Sequence, residues 1–330
     1  MTDVRRVEAP PPPVSEEDAA DLSAVDLRID LGGVTLANPI TTASGCFASG
    51  SEIDRFFDIS VLGALVVKSI TLEPREGLPT PRMAETPSGM LNAIGLQNPG
   101  VDRWIAKDLA WLQGKDVPVI VSIAGKSVDD FRQVAAKLRG RAGIVGVEVN
   151  LSCPNVEHRG LVFACAADPA GEVIRAVRRE LPDLPIFGKL TPDVTDITAI
   201  ARAVVDAGAT GLSLINTTLG MAIDPETGRP RLANTYGGLS GPAIRPIAIR
   251  AVHQVHTALP DVPLIGMGGI RTVEDVVEIV RAGATAVAIG TATFADPFVT
   301  QQLVTDLRRW MAVRGFSRMD ELRGKVFPRV

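Results

Sequence analysis

Short apolar runs alternate with longer stretches of mixed character along most of the chain, and the alternation is regular. Apolar runs near 38–42, 63–68, 117–123, 144–150, 184–190, 210–215, 262–266 and 285–289 have the length of strands and are bounded by Gly, Pro or polar residues. Between and after them, apolar positions fall at helical spacing and predict helices near 51–57, 101–113, 127–139, 170–180, 195–207, 242–258, 273–282 and 296–313. Eight strand–helix units in succession predict a closed (β/α)8 barrel of the TIM type. An open doubly wound sheet is less favoured, because no GxGxxG follows the first strand.

Ahead of the barrel, Leu27-Arg28-Ile29-Asp30-Leu31 alternates, Gly32-Gly33 turns and Val34-Thr35-Leu36 resumes, the pattern of a hairpin. Residues 1–25 are Pro-rich and acidic, with an unbroken run from Pro10 to Pro13, and read as a disordered tail. Residues 26–330 read as a single domain. Two connections, 69–99 and 216–241, are long and rich in Pro, Gly, Thr and Asn. Each follows a strand, so both are expected as long loops over the C-terminal face, where such a barrel keeps its chemistry.

Composition narrows the functional classes. Hydrophobic residues make up 46% of the 330 and aromatic ones only 4%, so the core must be aliphatic. A net charge of -4 gives no basic footprint, which argues against nucleic acid as a partner. No apolar run reaches the length of a membrane span, about 18 residues, and no secretory h-region opens the chain. The three cysteines, Cys46, Cys153 and Cys165, form no CxxC pair. A disulfide framework, a zinc site or an iron–sulfur cluster within this chain is therefore not expected, and a reducing, cytoplasmic setting is.

The ends of the predicted strands carry the candidate chemistry. Lys68, Asn150, Lys189 and Asn216 each stand just past an apolar run. One lysine there can simply reach solvent, but several polar residues at equivalent positions point into one mouth. The two lysines offer fixed positive charge. The amides of Asn92, Asn150, Asn155 and Asn216 suit a ring bearing C=O and N–H groups. Paired carboxylates are absent from the strand ends, which lowers the odds of glycoside hydrolysis or a magnesium site, and no metal is expected. After the last two strands come Met267-Gly268-Gly269-Ile270, with Thr272 placed to cap a helix, and Gly290-Thr291. Loops in these positions commonly hold a phosphate on backbone N–H groups. Cys153 lies in a polar loop between Ser152 and Pro154, where it reads as a buried small thiol or as a nucleophile or base. No histidine pattern supports a Cys–His dyad. His253 and His256 fall on an outer helix, and His158 reads as solvated. Cys46 and Cys165 read as structural.

These residues also carry a family resemblance. Asn150-Leu151-Ser152-Cys153-Pro154-Asn155-Val156 resembles the active-site loop of class 1 dihydroorotate dehydrogenases. Ala43-Ser44-Gly45, Val67-Lys68-Ser69, Asn92 to Gly100, Ile215-Asn216-Thr217-Thr218, Gly237 to Gly241 and Gly268-Gly269-Ile270 resemble other motifs of that family, in family order over about residues 27–310. The runs Thr71 to Gly77 and Glu85 to Leu91 look most like the class 1B branch. The resemblance implies oxidation of dihydroorotate to orotate in pyrimidine (UMP) biosynthesis, with FMN across the barrel mouth. It implies FMN contacts from Ser44, Lys68, Ser69, Asn150, Lys189, Ile215, Gly241, Gly268, Gly269, Gly290 and Thr291. It implies substrate contacts from Lys68, Asn92, Ala93, Ile94, Gly95, Leu96, Asn150, Asn155, Asn216 and Thr217. Cys153 would be the base that takes the C5 proton, and flavin N5 the acceptor of the C6 hydride. Lys189, near the flavin N1 edge, would stabilise the reduced flavin. Ser122 stands where some family members have Asn near the flavin, so that contact is not carried over.

Class 1B further implies a homodimer that joins a separate iron–sulfur subunit carrying FAD, as a heterotetramer that passes electrons to NAD. Other functions consistent with the residues are a class 1A-like enzyme using fumarate, another pyrimidine-reducing FMN barrel, and a non-catalytic scaffold binding a phosphate ligand. A tRNA-dihydrouridine synthase fits less well, since the chain is acidic and no basic C-terminal domain is seen.

Overall fold

The computed structural model describes residues 22–152, 154–155 and 161–327. The expected tail thus lies mostly outside the described residues. Val25 is already buried in the core, so the packed domain reaches at least that far towards the N-terminus.

The chain opens with the expected hairpin, β1 (Ile29–Asp30) paired with β2 (Thr35–Leu36) across Gly32 and Gly33, whose φ values of +68° and +91° favour glycine. The first two barrel strands are β3 (Ile40–Thr42) and β4 (Leu65–Val66). Two further strands, β5 (Met83–Thr86) and β6 (Gly89–Asn92), leave the barrel before β7 (Val119–Ile123) and β8 (Ile144–Asn150) re-enter it. A small antiparallel pair, β9 (Pro154–Asn155) and β10 (Leu161–Val162), follows β8. The chain then runs through β11 (Ile186–Leu190) and β12 (Gly211–Leu214), leaves again for β13 (Thr218–Gly220) and β14 (Gly237–Ser240), and finishes the barrel with β15 (Leu264–Met267) and β16 (Ala286–Ile289). The eight barrel strands run parallel in the order β3-β16-β15-β12-β11-β8-β7-β4. Their residues are buried on both faces almost without exception, as a strand flanked by helices and by barrel interior requires.

Closure between β3 and β4 is made largely by side chains. Thr42 Oγ1 donates to the Val66 carbonyl (3.0 Å) and accepts from the Val66 N–H (2.9 Å), and a single bridge joins Thr41 to Ala64. Below it Asn38 accepts from the N–H groups of Ile40 and Gly63, both at 3.1 Å. A Cβ on Gly63 would lie 1.9 Å from the Asn38 carbonyl, so only glycine lets these two strands close.

Helices Val128–Leu138, Ala167–Glu180, Ile197–Asp206, Arg245–Ala258, Val273–Arg281 and Val299–Val313 cover the outside. Several begin at caps visible in the sequence. Ser127 accepts from the Asp130 N–H, Asp196 from Thr198 and Ala199, and Thr272 forms a reciprocal capping box with Asp275.

The structure departs from expectation in three places. No α-helix forms near 51–57; the segment makes two short 3-10 turns, Ile53–Arg55 and Ile59–Val61, because it has too few apolar positions to bury a helical face, and Phe56 stays exposed. The helix expected over 101–113 is interrupted by a π turn, Ile105–Leu109. The two long connections are not loops throughout. Their strands assemble a four-stranded antiparallel sheet in the order β13-β14-β6-β5, which joins residues far apart in sequence at the C-terminal face. Among the described residues no helix is long and apolar enough to cross a membrane, and no three His, Cys, Asp or Glu side chains are grouped to hold a metal ion.

Candidate active site

The parallel register decides which side chains meet at the mouth. Lys189 on β11 lies opposite Asn150 on β8 and Ser213 on β12. Side chains alternate along a strand, so Glu148, two residues before Asn150, points to the same inner face. From these positions a chain of polar contacts crosses the strand ends. Lys189 Nζ donates to Ser44 Oγ at 3.2 Å and to Glu148 Oε1 at 3.4 Å. Ser122 Oγ donates to the same Glu148 oxygen (3.0 Å) and lies 2.9 Å from Ser69 Oγ. Asn150 Nδ2 reaches Ser69 Oγ at 3.5 Å, and Asn216 Nδ2 donates to Asn150 Oδ1 at 3.3 Å. Asn150 Oδ1 also accepts from the Ser152 N–H (3.2 Å), which ties the start of the following loop to the strand end.

Five of the candidate residues, Ser44, Ser69, Asn150, Lys189 and Asn216, are therefore members of one network. Two links were not among them. Ser122 is fully buried and joins Ser69 to Glu148, and Glu148 is itself fully buried, with exposure of 0% against 4% for Lys189. The sequence carried a signal for Glu148: an acidic residue inside Val147-Glu148-Val149, where an apolar strand has no other reason for a charge.

Lys68 lies against the loop after β3. A Cβ on Gly45, whose φ is +94°, would sit 3.3 Å from Lys68 Nζ. Cys46, in the same loop, is partly buried, and burial pushes its thiol up to about 11 against the pull of Lys189 and Lys68. It stays protonated at neutral pH, in keeping with a structural role. Cys165 is exposed at its turn. His253 is exposed and His256 packs against Gly283 and Gly324 on the barrel's outside, as a helix position predicts.

A second cluster lies where the antiparallel sheet meets the mouth. A Cβ on Gly238 would fall 2.1 Å from Thr217 Oγ1, and Asn92 Nδ2 reaches the Gly238 carbonyl at 3.4 Å. Ala93 to Leu96 turn back over residues 77–82, with Leu78 N–H on the Ile94 carbonyl and Ala93 N–H on the Arg82 carbonyl. Leu96 takes a left-handed φ of +57°, strained for a branched side chain by about 1 kcal/mol or more. Asn98 holds it there. It is buried, donates to the Leu96 carbonyl (2.7 Å) and accepts from Thr71 and Gly100 N–H groups. Asn98 was missed because a turn Asn before Pro-Gly reads as ordinary punctuation.

The third cluster is the set of glycine turns. Gly241, Gly268 and Gly269 have φ of +92°, +128° and +77°, and a Cβ on Gly269 would lie 2.9 Å from the Gly241 carbonyl and 2.8 Å from Arg245 Cβ. The turn after β14 and the loop after β15 are thus in contact. Thr291 Oγ1 donates to Ser240 Oγ (2.7 Å) and brings the loop after β16 against them. Ile215 is buried beside Gly268. The helix starting at Val273 is already capped by Thr272 and Asp275, the latter also paired with Arg245. That leaves the glycine turns and Gly290-Thr291 to offer backbone to an anion.

Cys153 lies outside the described residues, as does His158, and the side chain of Asn155 does too, although its backbone is in β9.

A parallel barrel with one buried and one half-buried lysine, amides and glycine turns gathered at its C-terminal face has the make-up of the enzyme barrels that take a phosphorylated, ring-bearing ligand. A family model described as dihydroorotate dehydrogenase matches residues 26–311. The chain is 51% identical over 299 residues to the dihydroorotate dehydrogenase B (NAD(+)) catalytic subunit of Anoxybacillus flavithermus, covering 91% of this chain and 95% of the relative. It is 50% identical to the proteins of the same description from Geobacillus kaustophilus and Bacillus caldolyticus, over the same 91% of this chain and 95% of each. The chain belongs to the dihydroorotate dehydrogenase family.

Proposed function

We propose that this chain is the catalytic subunit of an FMN-dependent, B-type dihydroorotate dehydrogenase, oxidising dihydroorotate to orotate in pyrimidine biosynthesis. What carries this reading is the network from Ser44 through Lys189 and Asn150 to Asn216, set beside glycine turns in a chain of this family. The residues fit a flavin mononucleotide. Its phosphate needs close backbone approach, and the turn at Gly268 and Gly269, both at positive φ, offers side-chain-free backbone for it. Its ring edge needs donors, acceptors and a positive charge, which Ser69, Asn150, Lys68 and Lys189 offer. Ser44, Ile215, Gly241, Gly290 and Thr291 complete this set.

When bound, FMN supplies a two-electron acceptor for the hydride leaving C6 of the substrate. The rest of the work is done by side chains. Cys153 Sγ takes the C5 proton, a role resting on the resemblance of its loop. A thiol with an ordinary pKa of about 8.5 is a workable base at neutral pH only when tuned. Lys68 holds the substrate carboxylate, while Asn92, Asn150, Asn155, Asn216 and Thr217 orient its ring. Ala93, Ile94, Gly95 and Leu96 close over it, and the antiparallel sheet excludes water. Lys189 opposes the negative charge of the reduced flavin.

The reading includes a partner. The three cysteines form no CxxC pair, so an iron–sulfur cluster and FAD belong to a separate chain that hands electrons to NAD. Apolar side chains left exposed on and after β13, Leu219, Met221 and Ile223, support a homodimer at the centre of a heterotetramer. The free thiols of Cys46 and Cys165 suit the cytoplasm. An acceptor screen on the pure chain tests the whole reading. The protein is expected to be yellow, to be reduced by dihydroorotate, and to reduce NAD only with its partner. A colourless protein that takes up no FMN rejects the enzyme reading; full NAD reduction by the chain alone rejects the partner.

A further inference from the structure

Glu148 sits in the middle of an apolar strand, fully buried, with Lys189 Nζ 3.4 Å from Oε1. Its other oxygen, Oε2, has no hydrogen-bond partner among the described residues. A buried ion pair is a poor stabiliser, because desolvating each ion costs several kcal/mol and offsets the attraction. Barrel stability alone therefore does not account for it. The pair lies directly under the strand ends. Glu148 is one inward step below Asn150, and Lys189, opposite Asn150, spans from that carboxylate to Ser44 in the loop after β3.

We propose that Glu148 is a positioning residue for the flavin chemistry: it holds the Lys189 ammonium at the mouth and sets the net positive charge that Lys189 presents to a bound flavin. This rests on the function proposed above. Among the described residues, the other titratable groups near Lys189 are Lys68, from the end of the second barrel strand, and the Cys46 thiol, from the loop after the first. Neither brings negative charge at neutral pH. Among the described residues Glu148 is the carboxylate paired with Lys189, and it tempers the field of that cation. Without Glu148, Lys189 presents its full charge to the flavin. Ser122 and Ser69 carry the carboxylate's position on to Asn150, so the same group also fixes an amide of the mouth.

The test is spectroelectrochemistry of the FMN-loaded chain between about pH 6 and about pH 9, with wild type, Glu148→Gln, Glu148→Asp, Lys189→Met and the double variant Glu148→Gln/Lys189→Met. Glu148→Gln is expected to favour the reduced flavin by about ten-fold, about 30 mV for a two-electron couple. Glu148→Asp keeps the charge and shifts the midpoint in the same direction by less. In the Lys189→Met background the Gln substitution has no further effect, which a merely structural role for Glu148 does not predict. An unchanged midpoint at every pH, or an equal shift without Lys189, overturns the proposal. If Glu148→Gln does not fold, Glu148→Asp with and without Lys189→Met decides in the same terms. A wild-type chain that binds no FMN removes the proposed function and this inference together; a normal wild-type flavin indifferent to Glu148 removes only the inference.

Discussion

The barrel and the four-stranded sheet at its C-terminal face are built in opposite ways. Barrel strands such as β7 and β11 are buried at every residue, and their polar members, Ser122 and Lys189, are held by other buried side chains. The sheet buries little: Leu91 and Gly237 are its buried residues, while Met83 and Leu219 are exposed at 47% and 68%. A region with few buried apolar contacts opens at low free-energy cost. On the function proposed above, the contrast gives preorganised chemistry to the barrel's strand ends and closure over the substrate to the sheet.

The largest effect is expected at Cys153, in the loop that continues the barrel strand β8. Cys153→Ala should slow reduction of the flavin by dihydroorotate by about 10²–10⁴-fold, the usual contribution of a general base, with FMN still bound. Stopped-flow absorbance measures this directly. Cys153→Ser should retain part of the rate and gain as pH rises, since a hydroxyl gives up its proton less readily than a thiol. Reduction at the wild-type rate in Cys153→Ala would move the base elsewhere and break the assignment of proton chemistry to the barrel side.

The same contrast explains what could be read from the sequence. The eight barrel strands matched their expected positions to within a few residues because each is an apolar run in a strand–helix alternation, which is a local pattern. Lys68, Asn150, Lys189 and Asn216 stood out because a polar residue ending such a run is also local. The sheet was not legible. Its strands are three or four residues long and alternate only weakly, and β14 pairs with β6 across nearly 150 positions, as in Gly238 against Asn92. Only tertiary pairing defines such strands. Glu148 was overlooked, and Ser122 was noted without its buried role, for a related reason: their meaning lies in register across three barrel strands, which brings Glu148 beneath Lys189 and against Ser122.

Glycine substitutions in the two regions sharpen the comparison. At Gly211, on β12, a Cβ would meet the Pro263 carbonyl at 2.6 Å and the Phe187 ring at 2.9 Å, inside the barrel. Gly211→Ala should cost about 1–3 kcal/mol of stability through overpacking, read by denaturant melts, with KM for dihydroorotate close to wild type. At Gly238 the collision is with Thr217 Oγ1, at the junction of sheet and mouth. Gly238→Ala should change stability less, and raise KM by roughly ten-fold through a misplaced Thr217 and Asn92. If both variants lose stability alike and KM moves in neither, the sheet is part of the rigid frame and the division of labour fails.

The smallest effect concerns thiols, and it separates the mouth from the outer surface. Alkylation proceeds through the thiolate. Cys46 at the mouth is held up to about 11 by burial, above its usual value of 9.0, whereas Cys165 is exposed. Peptide mapping after a brief iodoacetamide pulse should therefore find Cys165 modified well before Cys46 at mildly alkaline pH. Labelling of Cys46 should climb roughly ten-fold per pH unit towards its own pKa. The sign of the linked stability follows. Between about 9 and about 11 the folded chain keeps a proton on Cys46 that the unfolded chain has lost, so this thiol lowers stability as pH rises through that window. Cys46→Ser should flatten that decline in melting temperature. Equal labelling of the two thiols, or an unchanged alkaline slope in Cys46→Ser, would show that the loop after β3 opens to solvent as readily as the surface does, and that the barrel mouth is less preorganised than its network of contacts implies.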